Sequence, residues 1–174
     1  MAYGTLFADE PGVPAYSGPV ARAWGDDARY LDRWRPTAQK YPVKSAARVL
    51  TWEELVDAVC NGYPVTTASG VGYEMKARAD GFHHRGNAWD HQMCFVGVDE
   101  TWQEPYALIL NNWGDVHGTL SDFRDPGVQL PPGLLRVRRA DAEAHLAARD
   151  SYAYSSFEGF PERDLDGALF DVLA

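Results

Sequence analysis

His91 and Asn111 are the two residues whose types and spacing suggest chemistry. They bracket the stretch 90–114, DHQMCFVGVDETWQEPYALILNNWG. The stretch reads as two hydrophobic strands, 91–98 and 106–111, joined by a polar turn over 99–105. His91 opens the first strand and Asn111 closes the second. A histidine and an amide at the ends of neighbouring antiparallel strands can meet side by side. The amide oxygen then accepts the imidazole N–H and fixes the ring's orientation and tautomer. That supplies the base and its orienting group for a nucleophilic hydrolase. The nucleophile has to be found elsewhere.

The elements that must position this pair follow from hydrophobic periodicity and capping signals. Residues 1–25, rich in Gly, Pro and Tyr, lack sustained periodicity and read as an extended N-terminal arm. Asp26 or Asp27 then caps a short predicted helix that ends near Trp34, before Pro36, with Leu31 and Trp34 inward. A short strand is expected over 42–50. Thr51 and Glu54 form a capping box for a helix with Trp52, Leu55, Val56 and Val59 on one stripe and Gly62 at its end. Residues 63–69 (YPVTTAS) form a β-rich run, and the polar connection over 70–89 is too long for a tight hairpin. Along 91–98, alternation puts His91, Met93 and Phe95 on one face and Gln92, Cys94 and Val96 on the other. Residues 114–133 form a loop broken by Gly and Pro. Residues 134–138 (LLRVR) form another strand, Asp141 caps a helix through Arg149, and 150–174 form a C-terminal tail. The charges at Asp150, Glu158, Glu162, Arg163 and Asp164 read as a solvated tail or one that docks on a partner.

Composition narrows the classes. A chain of 174 residues, 45% hydrophobic and 13% aromatic, has the length for a sizeable core, and one domain over 1–174 is expected. A formal charge of −9 argues against nucleic-acid binding, which needs a basic face. No apolar run approaches the roughly 20 residues of a membrane helix, so no membrane partner is expected. The start carries no secretory pattern, which suggests a cytoplasmic or virion- or assembly-associated protein. Two cysteines, Cys60 and Cys94, make no disulfide framework and fit small buried fillers.

HQMCFVGVD followed by YALILNNWG resembles the C-terminal half of papain-like cysteine peptidases. That family has a His at the start of one strand and Asn-x-Trp-Gly at the end of a later one. The upstream LVDAVCNGYPVTTAS is similar to the family's helix and Gly-x-Pro-Val strand, so the resemblance covers roughly 48–114. It implies an α+β, papain-like fold: an antiparallel sheet or half-barrel core with a few short helices. It implies that His91 is the general base, that Asn111 orients it, and that Trp113 shields the pair from water. Asn112 stands where the family usually has Ser. NGYPV, the His-x-Met strand and the late EGFPER also resemble longer papain-like proteins associated with phages and bacteria.

The family's nucleophile has no counterpart here. Its Cys sits at the N-terminus of a central helix, where the dipole and an imidazolium favour the thiolate. This chain has no Cys before position 60. Cys60 falls near a helix C-terminus, where the dipole disfavours a thiolate, and Cys94 points to the strand face opposite His91. Three readings follow. The Cys-bearing half is a separate segment or chain, catalysis is lost, or Ser17 in the arm serves. Serines in Gly/Pro loops are mostly turn residues, and Ser17 lacks a nucleophile elbow.

Other constellations are weaker. His83, His84, Asp90 and His91 contain metal-ligand types, but adjacent loop histidines diverge and zinc needs three or four converging ligands. Asp90, His91, Asn112 and His117 faintly resemble an HNH nuclease, against which Gly118 and the acidic charge count. Trp89 and Asp90 are candidates to line a substrate cleft, with core packing an equal reading for Trp89. No cofactor or metal is expected. The expected function is the His/Asn half of a cysteine-peptidase-like site, acting on a peptide or protein and completed by a Cys-bearing partner. The alternative is a non-catalytic papain-fold interaction or structural module in a larger assembly.

Overall fold

A computed structural model describes residues 11–157 except 16, 27, 41 and 115; of residues 21, 24–26, 28–31, 43–45 and 155–157 only the backbone is described. The expected charged tail at Glu158, Glu162, Arg163 and Asp164, and the inward side chain of Leu31, lie outside that description. The elements run α1 Gly18–Asp26, α2 Ala28–Ala38, β1 Val43–Arg48, α3 Trp52–Cys60, β2 Val65–Ser69, β3 His91–Asp99, β4 Tyr106–Leu110, β5 Leu134–Arg138, α4 Arg139–Ala147 and β6 Ser151–Phe157. The class is α+β: six strands in one open sheet of order β1-β6-β2-β3-β4-β5, with short helices. The pairs β6/β2, β2/β3, β3/β4 and β4/β5 are antiparallel. No helix among the described residues is long and apolar enough to cross a membrane.

The described chain divides into two compact units. Ala47–Tyr154 form the larger; the residues before Ala47 and the end of β6 from Ser155 belong to the smaller. In the smaller unit, part of the expected arm is helical. Ser17 Oγ accepts the Val20 N–H at 3.3 Å, and Pro19 falls in the first turn of α1, where a missing N–H costs nothing. Helix α2 does not stop before Pro36 but carries it in its last turn, and the Gln39 N–H still reaches the Arg35 carbonyl at 2.9 Å. Trp34 is buried, as its spacing suggests.

The larger unit carries the core. The Thr51–Glu54 capping box is present in full: Thr51 Oγ1 accepts the Glu54 N–H at 3.1 Å and Glu54 Oε2 accepts the Thr51 N–H at 3.2 Å. That fixes where α3 begins and turns Trp52 and Leu55 into the core. Gly62, at φ +78°, ends the helix in a conformation other residues avoid. Helices α3 and α4 lie on one sheet face, over Val65, Phe95, Ile109, Leu135 and Val137. Fully burying each such side chain stabilises the fold by about 1.5–3 kcal/mol.

Three further features differ from the sequence reading. Helix α4 starts at Arg139, so Asp141 sits in its first turn, where it accepts from Arg85 Nε at 2.5 Å instead of capping. The segment read as a C-terminal tail from Asp150 contains β6, which pairs with β2 through Val65↔Ala153 and Thr67↔Ser151. Strand β3 carries a bulge between Phe95 and Gly97 that shifts its pairing to β4 and leaves Val96 exposed.

On the opposite sheet face, loop residues cover the β4–β5 end. Arg136 is almost fully buried, its guanidinium 3.6 Å from the Phe123 ring centre, and it donates to the Ser121 and Gly81 carbonyls at 2.7 and 3.3 Å. The ring stacking and carbonyl acceptors offset the desolvation of its charge.

Candidate functional site

Strand register builds the site. Cys94 faces Leu110 across the β3/β4 ladder. Continuing that pairing sets Asn111 opposite Met93, so Asn111 is the diagonal neighbour of His91 on the same face, within reach of a side-chain hydrogen bond. His91 Nε2 donates to Asn111 Oδ1 at 2.8 Å. Asn111 is buried and held by its own backbone, whose N–H donates to the Gly133 carbonyl at 3.0 Å. Trp113 stacks on the His91 ring, centroids 4.5 Å apart and planes 26° from parallel. At 42% exposure it covers the pair on one side and faces solvent on the other.

Protonation states follow from the partners. The Asn112 N–H donates to Asn111 Oδ1 at 2.8 Å. A backbone N–H can only donate, so this contact assigns the oxygen of the amide. His91 Nε2 must then carry a proton, which leaves the Nδ1 lone pair of the neutral ring. No hydrogen bond to His91 Nδ1 is formed among the described residues. His91 lines two open grooves. One, of about 510 Å³, is bounded by Gln92, Cys94, Leu110, Asn111 and Asn112. The other, of about 440 Å³, is bounded by Ser69, Asp90, Ala148 and Asp150.

The other sequence candidates are placed as follows. Asp90 is exposed and borders the second groove. Trp89 is half-buried and packs on Tyr73 and Trp113, at centroid distances of 6.0 and 4.9 Å, so it supports the cluster and does not line either groove. Cys60, read as a buried filler, is exposed. Burial, Glu100 and Asp57 all push its thiol up. Cys94 is half-buried at the groove, and burial pushes its thiol up as well. Neither environment favours a thiolate. Ser17 caps α1 in the smaller unit. His83 and His84 diverge: His83 is buried and accepts the Arg136 N–H through Nδ1 at 3.2 Å, while His84 meets Asp80 at 2.7 Å. Among the described residues, no three His, Cys, Asp or Glu side chains are arranged to hold a metal ion.

Two features escape the sequence reading. His117, weighed there only as a nuclease residue, lies against Asn111, with Asn111 Nδ2 donating to His117 Nε2 at 2.7 Å. Its position six residues after Asn111 is the one sequence signal that could have pointed to it. The second is a buried polar centre around His145. His145 Nδ1 and Ser69 Oγ are 2.6 Å apart, and His145 Nε2 and Tyr73 Oη 2.8 Å. Burial, reinforced by Arg85, lowers the His145 pKa to about 4. Burial and the neighbouring His117 lower that of His83 to about 4. Burial also lowers the pKa of His117. Nothing in the spacing of Ser69, Tyr73 and His145 announces their convergence.

No protein-family model matches the chain, and no curated protein sequence matches it significantly.

Proposed function

We propose that the chain is a papain-like module that supplies the base half of a cysteine-peptidase-type site, with the thiol supplied by a partner segment or chain. The observation that carries this reading is the His91–Asn111 hydrogen bond at 2.8 Å beneath Trp113, with His91 Nδ1 left to a group arriving from the grooves. In the reaction, the incoming thiol gives its proton to His91 Nδ1. The thiolate attacks the amide carbonyl carbon, and the C–N bond breaks as the imidazolium returns the proton to the leaving amine. Water, deprotonated by the same nitrogen, then hydrolyses the thioester. Asn111 keeps Nε2 protonated and the ring in place throughout. The substrate class is a peptide or protein amide.

A second reading, a non-catalytic interaction module, is favoured by the environments of Cys60 and Cys94, which hold both thiols neutral. It is also favoured by Val96 and Leu110, exposed at 40% and 43% on β3 and β4.

One experiment separates the two. The native complex is purified through this chain and labelled with limiting iodoacetamide at pH 6, where an ion-paired thiolate reacts and ordinary thiols hardly do. The proposal expects one hyper-reactive cysteine on a co-purifying chain, with its reactivity lost in His91→Ala. Absence of any His91-dependent thiol, with the complex otherwise intact, sinks it in favour of the interaction module.

A further inference from the structure

We infer that His117 is a positioning residue that locks the Asn111 amide and, through it, the tautomer of His91. Its significance for catalysis rests on the reading of His91 as the base; its geometry does not. Asn111 Oδ1 is assigned by the Asn112 N–H at 2.8 Å, so the atom facing His117 Nε2 at 2.7 Å is the amide nitrogen, a donor. His117 Nε2 must therefore accept, and its proton must reside on Nδ1.

Consider the amide rotated by half a turn. Its nitrogen would then face two donors, the Asn112 N–H and His91 Nε2–H. Its oxygen would face the His117 lone pair. With the tautomers as assigned, all three contacts turn repulsive together. Moving the two ring protons relieves two of them, but the Asn112 N–H cannot change its role, and at the buried Asn111–His117 contact no solvent substitutes. Removing the His117 acceptor alone abolishes one of the three and strands an amide N–H in the interior.

The surroundings hold His117 for this task. Its ring is 2% exposed and stands among Trp89, Trp113 and His83, at centroid distances of 6.0, 6.2 and 5.8 Å. This packing fixes the ring plane so that Nε2 meets the amide. Nδ1 has no hydrogen-bond partner among the described residues, and the Met75 backbone favours a proton on the ring. A histidine serving only as core filler would not need its one acceptor nitrogen aimed at the amide that orients His91. The carboxamide of Gln can also accept from Asn111 Nδ2; a Leu of similar bulk cannot.

The test is imidazole nitrogen NMR on the full chain at pH 7.5, which reads protonation without requiring any nucleophile or activity. The expected result is His117 protonated at Nδ1 and bare at Nε2, with a nitrogen–nitrogen coupling across the hydrogen bond to Asn111 Nδ2. His91 is expected to be protonated at Nε2 with slow solvent exchange. In His117→Leu the His91 Nε2–H exchanges about tenfold faster or more, the scale for stranding one buried donor; His117→Gln keeps the slow exchange. A proton on His117 Nε2 overturns the inference. So does a His117→Leu variant with wild-type His91 exchange. If the Leu variant fails to fold, the wild-type tautomers and the Gln variant decide. If the tautomers are as expected while iodoacetamide finds no His91-dependent thiol, the lock stands and the peptidase reading falls.

Discussion

Acidification to pH 5 should cost this fold several kcal/mol, and His145 is the residue to test. In the native state its ring is fully buried, with one nitrogen on Ser69 Oγ and the other on Tyr73 Oη, and its pKa is lowered to about 4. In the unfolded chain it returns to about 6.5. The unfolded state therefore binds more protons between these values, so stability falls as pH falls. The contribution is fully present above about pH 6.5 and lost progressively toward pH 4. At pH 5 the two pKa values give a loss of about 2 kcal/mol relative to neutral pH for this one group. His83, lowered to the same value, adds a comparable loss. Its proximity to His117, 5.8 Å between ring centres, makes the two histidines titrate together and not additively. Against a typical domain stability of about 5–15 kcal/mol, a combined loss of about 4 kcal/mol is large.

The assay is urea unfolding at several pH values from 7.5 to 5, for wild type and His145→Gln. Gln can still reach one of the two hydroxyls but does not titrate. The variant is expected to be less stable at pH 7.5 and to show a shallower pH dependence, by about 2 kcal/mol over the range. Parallel curves for the two proteins would refute the reasoning: His145 would then not be buried neutral.

Thr51→Ala removes the capping box at α3 and should lower stability by about 1 kcal/mol, read as a shift in the urea midpoint without a change in slope. Gly72→Ala would place its new carbon 1.8 Å from the Asn87 carbonyl oxygen and 2.7 Å from the Trp89 ring. The loop must shift, and the expected result is a loss of more than about 2 kcal/mol with a change in Trp fluorescence. In the chain alone, Cys60 should react with a disulfide reagent at pH 8 several-fold faster than the half-buried Cys94, checked by mass mapping of the labelled residue.

The core of the larger unit was legible where periodicity and chemistry agree. The capping box at Thr51 and the alternation of β3 each state their structure locally. The pairing of His91 with Asn111 needed only that two adjacent strands be antiparallel. What escaped depends on tertiary context. Strand β6 presents Ser151 and Ala153 to the interior, small residues that carry almost no hydrophobic signal. They fit there because Ser151 Oγ and Thr67 Oγ1 hydrogen-bond at 2.8 Å. Helix α1 opens with Gly-Pro, which reads as a turn although proline suits a helix's first turn. Asp141 resembles a cap by type, yet an arginine from a distant loop claims it, at 2.5 Å.

His91 on β3 and His145 on α4 show how the same side chain takes different environments at one end of the sheet. Both are hydrogen-bonded, and Ser69, the partner of His145, is the cross-strand neighbour of His91. His145 has both nitrogens engaged and no exposed surface, so it has neither a free lone pair nor a path to solvent. A base with a pKa of about 4 is also poorly matched to neutral-pH proton transfer. His145 therefore holds β2 to α4. His91 has one nitrogen fixed by Asn111 and a ring that borders two grooves. Of the two histidines, His91 is the one whose surroundings suit the proposed acid–base role. What decides between a hydrolase and an interaction module is whether a thiol reaches its remaining nitrogen.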